Sequence, residues 1–135
     1  MITYQLEPHL TVEEFRAVLI ASTLGQRRPI DDTPRLEAML RQANLIVTAR
    51  IEGRLVGVAR SLTDFVYCTY LSDLAIDEAC QRQGIGKELI KQTKLATPTA
   101  KLILLSAPKA VEYYPKIGLQ RHEHCFFLDH VEDLL

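Results

Sequence analysis

The sequence predicts an α/β fold of the mixed, α+β kind, a central twisted sheet flanked by about four helices. Three observations carry this. Apolar strand-like runs and helical patterns alternate along the chain. Two β-branched runs, Asn44 to Ile51 and Arg54 to Ser61, are separated only by Glu52-Gly53. Glycine at the second turn position of so short a connection spells an antiparallel hairpin. Finally, the apolar runs Tyr70 to Ile76 and Lys101 to Ser106 are joined by a helical pattern over Lys87 to Ala96. That order implies a parallel pair with a right-handed crossover.

The remaining elements follow in chain order. Thr3 to Glu7 reads as a first strand. Thr11 caps a helix that carries Glu13 and Glu14 in its first turn and runs to about Ser22, with Phe15, Val18 and Leu19 on one face. Leu24 to Thr33 is a polar loop. Thr33 then caps a second helix with Pro34 at its first position and Leu36, Met39 and Leu40 inward. After the hairpin, a loop through Asp64 leads to the Tyr70 strand. Thr97-Pro98-Thr99 ends the crossover helix, and the nearly continuous apolar Lys101 to Ser106 reads as a buried strand. A helix from about Pro108 ends near Ile117, with Gly118 as its C′ residue. Gln120 to Asp129 reads as a last strand.

Composition restricts the function classes. A chain of 135 residues with 47% apolar and 24% charged residues fits one soluble domain, residues 1–135. Its net charge of −1 argues against a general nucleic-acid surface. No apolar stretch approaches the roughly 20 residues of a membrane span. The first ten residues show no basic start followed by an apolar core. Cys68, Cys80 and Cys125 are odd in number and have no paired spacing, which fits reduced thiols in a cytoplasm. The expectation is a cytoplasmic protein with neither nucleic acid nor membrane as partner; a homodimer is left open.

The segment with most chemistry is Gln81-Arg82-Gln83-Gly84-Ile85-Gly86, where the Tyr70 strand stops and the helical pattern begins. A glycine turn at a helix N-terminus gathers free N–H groups and the positive end of the helix dipole, an arrangement suited to phosphate. Gly84 and Gly86 allow positive φ and close backbone approach. Alone, the motif serves a tight turn equally well.

In context, Gln81, Gly84 and Gly86 resemble the acyl-CoA loop (Gln/Arg-x-x-Gly-x-Gly/Ala) of the GNAT superfamily of N-acetyltransferases. A second GNAT-like signature follows one strand later as Ala110, Tyr113, Tyr114, Gly118 and Leu119 in the family's spacing. The resemblance covers nearly the whole chain, because the element order also agrees.

The resemblance implies acetyl-CoA as cosubstrate, without a metal. The N–H groups of Arg82, Gln83, Gly84, Ile85, Gly86 and Lys87 would hold the pyrophosphate. The main chain of Leu74, Ala75 and Ile76 would pair with the pantetheine arm as an added strand. Tyr114 would be the general acid that protonates the leaving thiolate while a primary amine attacks directly. Tyr113 would be the aromatic packed inward, and no cysteine nucleophile is required. A carboxylate sometimes found near the start of the motif strand is replaced by Tyr70, so Asp73 is the candidate base, with bulk water as its equal. Ala107 stands where many relatives have asparagine. Pro115 removes a backbone donor and disfavours helix at Tyr114.

On the acceptor side, Arg27 and Arg28 lie in the loop that borders the family's acceptor cleft, where paired guanidinium groups suit a carboxylate. Tyr70, with Phe65 and Tyr67, offers an apolar wall. The acceptor itself, a small-molecule or peptide amine, is not specified. His122-Glu123-His124 has metal-like residue types but lacks a third ligand at useful spacing. The rival reading is a non-catalytic acyl-CoA-binding or regulatory domain. A nucleotide-binding module ranks last, because Gly-x-x-x-x-Gly-Lys-Ser/Thr is absent.

Overall fold

The computed structural model describes residues 1–135 as two compact units, residues 1–105 and 106–135. The first holds all five strands in the order β1-β2-β3-β4-β5: Ile2–Leu6, Leu45–Ile51, Arg54–Thr63, Cys68–Ile76 and Lys101–Ile103. The first four are antiparallel neighbours, whereas β4 and β5 run parallel. Helices α1 (Val12–Ala21) and α2 (Thr33–Gln42) lie between β1 and β2 in sequence, and α3 (Ile85–Ala96) makes the crossover from β4 to β5.

Local chemistry accounts for the element ends. The Glu14 N–H donates to Thr11 Oγ1 at 3.2 Å, capping α1 as its sequence suggests. The cap of α2 moves one residue earlier than expected, because Asp32 Oδ1 accepts the Arg35 N–H at 3.1 Å and Thr33 is already helical. In the β2–β3 turn Glu52 and Gly53 both have positive φ, +50° and +83°. That conformation matches the twist of the flanking strands.

The sheet separates two apolar clusters. Phe15, Leu19, Leu36, Leu40, Ile46, Val58 and Ala75 form the one on the α1 and α2 side. Val47, Ala49, Val56, Leu71, Ile85 and Leu89 form the other, beneath α3. Ile46 and Val47 divide between them, as strand alternation requires. Gly57 of β3 lets α3 sit close: a Cβ there would meet Leu89 Cδ1 at 3.1 Å and Ile85 Cγ2 at 3.2 Å.

β4 breaks its own alternation. Ser61 pairs with Leu71 and Arg60 with Asp73, so Ser72 is an extra residue, a bulge. Leu71 therefore packs under α3, while Asp73, two residues later, joins Arg60 on the face where α2 lies. A one-residue insertion moves every following side chain to the other face.

An ion-pair network ties β1, β2 and α1 together. Arg50 donates to both Glu7 oxygens at 2.8 Å and to Glu14 Oε2 at 2.6 Å. Hydrogen bonds from Arg50 hold the Glu7 carboxyl at a pKa of about 2, and Glu14 is lowered for the same reason.

Three expectations about the end of the chain need correction. β5 stops at Ile103 and is not buried; as an edge strand it leaves Ile103 and Leu105 about half exposed. The helix expected from Pro108 to Ile117 is instead a 3-10 turn, Pro108–Ala110, and a single turn of helix, α4 (Tyr113–Lys116). Pro115 sits in the first turn of α4, where no N–H is needed, and Tyr114 is helical after all. Gln120 to Asp129 forms no strand. Its residues join none of the five strands, and Phe126 and Phe127 are exposed.

Candidate active site

The glycine turn gathers free backbone donors at the start of α3. Asp77 Oδ1 accepts the Ala79 N–H at 2.9 Å, folding the 3-10 turn Glu78–Cys80 that leads into it. Gln81 turns its side chain back to donate to the Ile76 carbonyl at 3.0 Å, bracing the loop on the end of β4. Arg82 and Gly84 have left-handed backbones, φ +65° and +81°, and Gly84 is the N-cap of α3. The backbone N–H groups of Arg82 through Lys87 donate to no carbonyl or side chain of the protein. Six free donors at the positive end of a twelve-residue helix favour a diphosphate. The exposed side chains of Arg82 and Lys87 add positive charge.

An open strand edge leads away from this turn. β4 pairs with β5 only at Cys68–Lys101, Thr69–Leu102 and Tyr70–Ile103. Beyond Tyr70, the β5-facing side of β4 has no strand neighbour, and Leu74, Ala75 and Ile76 lie in that stretch. Parallel strands that part in this way leave backbone groups ready for an extended ligand. Tyr70 is half-buried and shares a face with its cross-strand partners Leu62 and Ile103, both over 40% exposed. The three make an apolar strip across three strands.

Asp73 does not have a base's surroundings. Its side chain is fully buried, one oxygen accepting from Arg28 Nε and the other from Arg60 Nε. Arg28 Nη2 also donates to the Ser72 carbonyl at 2.8 Å. Arg60 donates to Ser72 Oγ and the Met39 carbonyl, both at 3.1 Å. A carboxylate whose two oxygens are engaged out of solvent is an anchor, and the base assignment gives way to that. Arg28 is likewise committed to this clasp and is not free to pair with an acceptor. Arg27 is exposed, with its carbonyl held by Arg28 Nη1 at 2.9 Å. Sequence reasoning missed Arg60 and Ser72; an arginine inside the apolar run Val56 to Leu62 was the available signal of a buried partner.

In the second unit, Tyr114 is the second residue of α4, after Tyr113, their rings edge-to-face at 5.3 Å. Tyr114 is the more buried of the two and Tyr113 the more exposed, the reverse of the expected order. Burial, and then the neighbouring Tyr113, raise the Tyr114 phenol above its ordinary value. The Tyr114 carbonyl accepts the Leu119 N–H at 3.0 Å, and Gly118 (φ +107°) turns the chain out of the helix. His122 and His124 stack edge-to-face at 5.7 Å without an acidic or thiol ligand completing a metal set. The three cysteines are free thiols, with Cys80 buried. No helix is long and apolar enough to cross a membrane.

The sheet thus parts at its parallel pair, and a turn of free backbone donors opens the crossover helix. The sequence model of the acetyltransferase (GNAT) domain matches residues 28–133, and the chain belongs to that family. Acetyl-CoA is the family's acetyl donor. A GNAT-family acetyltransferase from Streptococcus pneumoniae has the same fold, with TM-score 0.80 at 24% identity, over 97% of this chain and 98% of that one. So does an aminoglycoside acetyltransferase from an uncultured soil metagenomic sample, solved with sisomicin, at TM-score 0.71 and 21% identity over 96% and 95%. A histone acetyltransferase of Glycine max is 31% identical over 70 residues. That match spans 50% of this chain but only 30% of the plant protein.

Proposed function

We propose that this protein transfers the acetyl group of acetyl-CoA to a primary amine by direct attack. The observation that carries the reading is the row of six unpaired N–H groups from Arg82 to Lys87, continuous with the open edge of β4. The pyrophosphate is held by that row, with Gln81 keeping the loop against β4. The pantetheine arm pairs with the main chain of Leu74, Ala75 and Ile76.

The amine lone pair attacks the thioester carbonyl, the C–S bond breaks, and the thiolate takes a proton. Tyr114 is the donor in this reading; its raised phenol keeps the proton at neutral pH. The proton lost by the amine goes to water, since Asp73 is fully engaged. Tyr70 and Arg27 face the acceptor, the first as apolar wall and the second as the free cation for a carboxylate. The substrate class is a small-molecule or peptide amine.

Calorimetric titration with acetyl-CoA, CoA and ATP tests the donor site. Thiol release across an amine panel that includes amino acids, polyamines, aminoglycosides and peptide N-termini then tests transfer. Micromolar acetyl-CoA binding with thiol release on at least one amine is expected. Tighter binding of ATP than of CoA overturns the donor assignment. CoA binding without release on any amine points to the rival acyl-CoA-sensing domain.

A further inference from the structure

The clasp around Asp73 joins two regions that the reading above uses separately. The bulge at Ser72 puts a carbonyl and a hydroxyl outside the regular ladder. Arg28 takes the carbonyl from the side of the loop between α1 and α2, and Arg60 takes the hydroxyl from β3. Asp73, itself fully buried, accepts from both guanidinium groups, Arg60 nearly buried and Arg28 partly exposed. Withdrawal of Arg28 would break its bonds to the Asp73 carboxylate and to the Ser72 carbonyl together, so the loop is tied to the bulge at two points.

Arg28 makes every side-chain hydrogen bond from the loop Leu24 to Asp32 to the sheet. The loop's other anchor, Arg16 Nε to the Ile30 carbonyl at 3.0 Å, belongs to α1. Arg28 also reaches back, through Nη1, to the carbonyl of Arg27. The chain of contacts therefore runs from the stretch of β4 that begins at Leu74, through Asp73 and Ser72, into Arg28 and then Arg27. From Leu74 to Ser72 the link is the chain itself, and from there to Arg28 and the Arg27 carbonyl it is an ion pair and hydrogen bonds.

We propose that the Arg28–Asp73–Arg60 clasp is a positioning device that couples the open edge of β4 to the loop carrying Arg27. Binding of the acyl-CoA arm on the edge thereby orders the acceptor side. The coupling rests on the donor site proposed above. It makes Arg28, Arg60 and Asp73 positioning residues, which touch neither cofactor nor acceptor.

Amide hydrogen exchange on the full chain, with and without saturating acetyl-CoA, tests it. In the unsubstituted protein, acetyl-CoA slows exchange in residues 82–87 and, about fivefold or more, in residues 24–32 as well. In Arg28→Ala the protection of 82–87 persists and the acetyl-CoA effect on 24–32 disappears. Arg28→Lys keeps the charge but not the fork, and loses most of the effect too. A purely structural arginine would raise exchange equally with and without ligand, so the ratio is the informative quantity.

The coupling is overturned if 24–32 ignores acetyl-CoA while 82–87 responds, or if Arg28→Ala leaves the ratio intact. Should 82–87 itself gain no protection, the donor site fails and the coupling falls with it. The unsubstituted protein decides the matter even if a variant does not fold.

Discussion

Gly84→Ala isolates the contribution of one backbone conformation to cofactor binding. Gly84 has φ +81°, and a Cβ built there meets nothing within 4 Å. The substitution therefore introduces no clash, only the left-handed strain of a non-glycine residue, about 1–2 kcal/mol. That strain appears in one of two places. If the free loop keeps its shape, stability falls by about 1 kcal/mol or somewhat more, a Tm loss of roughly 3–6 °C for a chain of this size, with acetyl-CoA affinity unchanged. If the free loop relaxes, the strain is met on binding, and Kd rises about 5- to 30-fold.

The two losses together are bounded by the strain, whichever way it divides. Gly53→Ala is the matched control: φ +83°, nothing within 4 Å, but in the β2–β3 turn. It lowers Tm and leaves Kd alone. Calorimetry and thermal melting on both variants give all four quantities. Gly84→Ala changing neither quantity, or weakening binding more than about 100-fold at constant Tm, refutes the conformational argument.

Other perturbations have defined outcomes. Tyr114→Phe should lower turnover about 100-fold or more while acetyl-CoA affinity stays within about twofold, measured by thiol release and calorimetry; a lost fold would mark the tyrosine as structural. Asp73→Ala leaves two guanidinium groups facing each other and should cost about 3 kcal/mol or more in urea unfolding; a stable but inactive variant would restore Asp73 as base. Gly57→Val forces α3 off the sheet and should lower stability by about 2 kcal/mol, read in the same assay. Acid unfolding reports Glu7. Its folded pKa, about 2, lies below the ordinary 4.5, so its stabilising effect is complete above about pH 4.5 and is lost as pH falls toward 2. After solvent screening this is about 1–2 kcal/mol, and Glu7→Gln should flatten the pH dependence in that window.

Much of the frame was legible because short-range chemistry decided it. Glu52-Gly53 required a primed turn, Thr11 a cap, and the strand, helix, strand order a crossover. Gly84 marked the turn before α3 for the same reason, since a positive φ at a helix start selects glycine. The Ser72 bulge was not legible, because Tyr70 to Ile76 reads as an unbroken strand and an inserted residue shows only against its partner. Nor was the clasp, whose members lie 13 and 45 residues from Asp73 in sequence. Gln120 to Asp129 has strand composition but no place in the sheet, and a strand exists only as half of a pair. The order of Tyr113 and Tyr114 failed because a single turn of helix has no periodicity to read.

The clasp also has a charge balance. Two guanidinium groups face one fully buried carboxylate, leaving one unit of positive charge beside the bulge, with Arg28 partly exposed and Arg60 nearly buried. At short range in such surroundings a cation is felt by whatever arrives along the same strand. An ammonium brought against this stretch of β4 loses its proton more readily, and a thiolate formed there is held more comfortably. In the proposed acetyl transfer, that fixed field would favour the neutral amine and the anionic leaving group together.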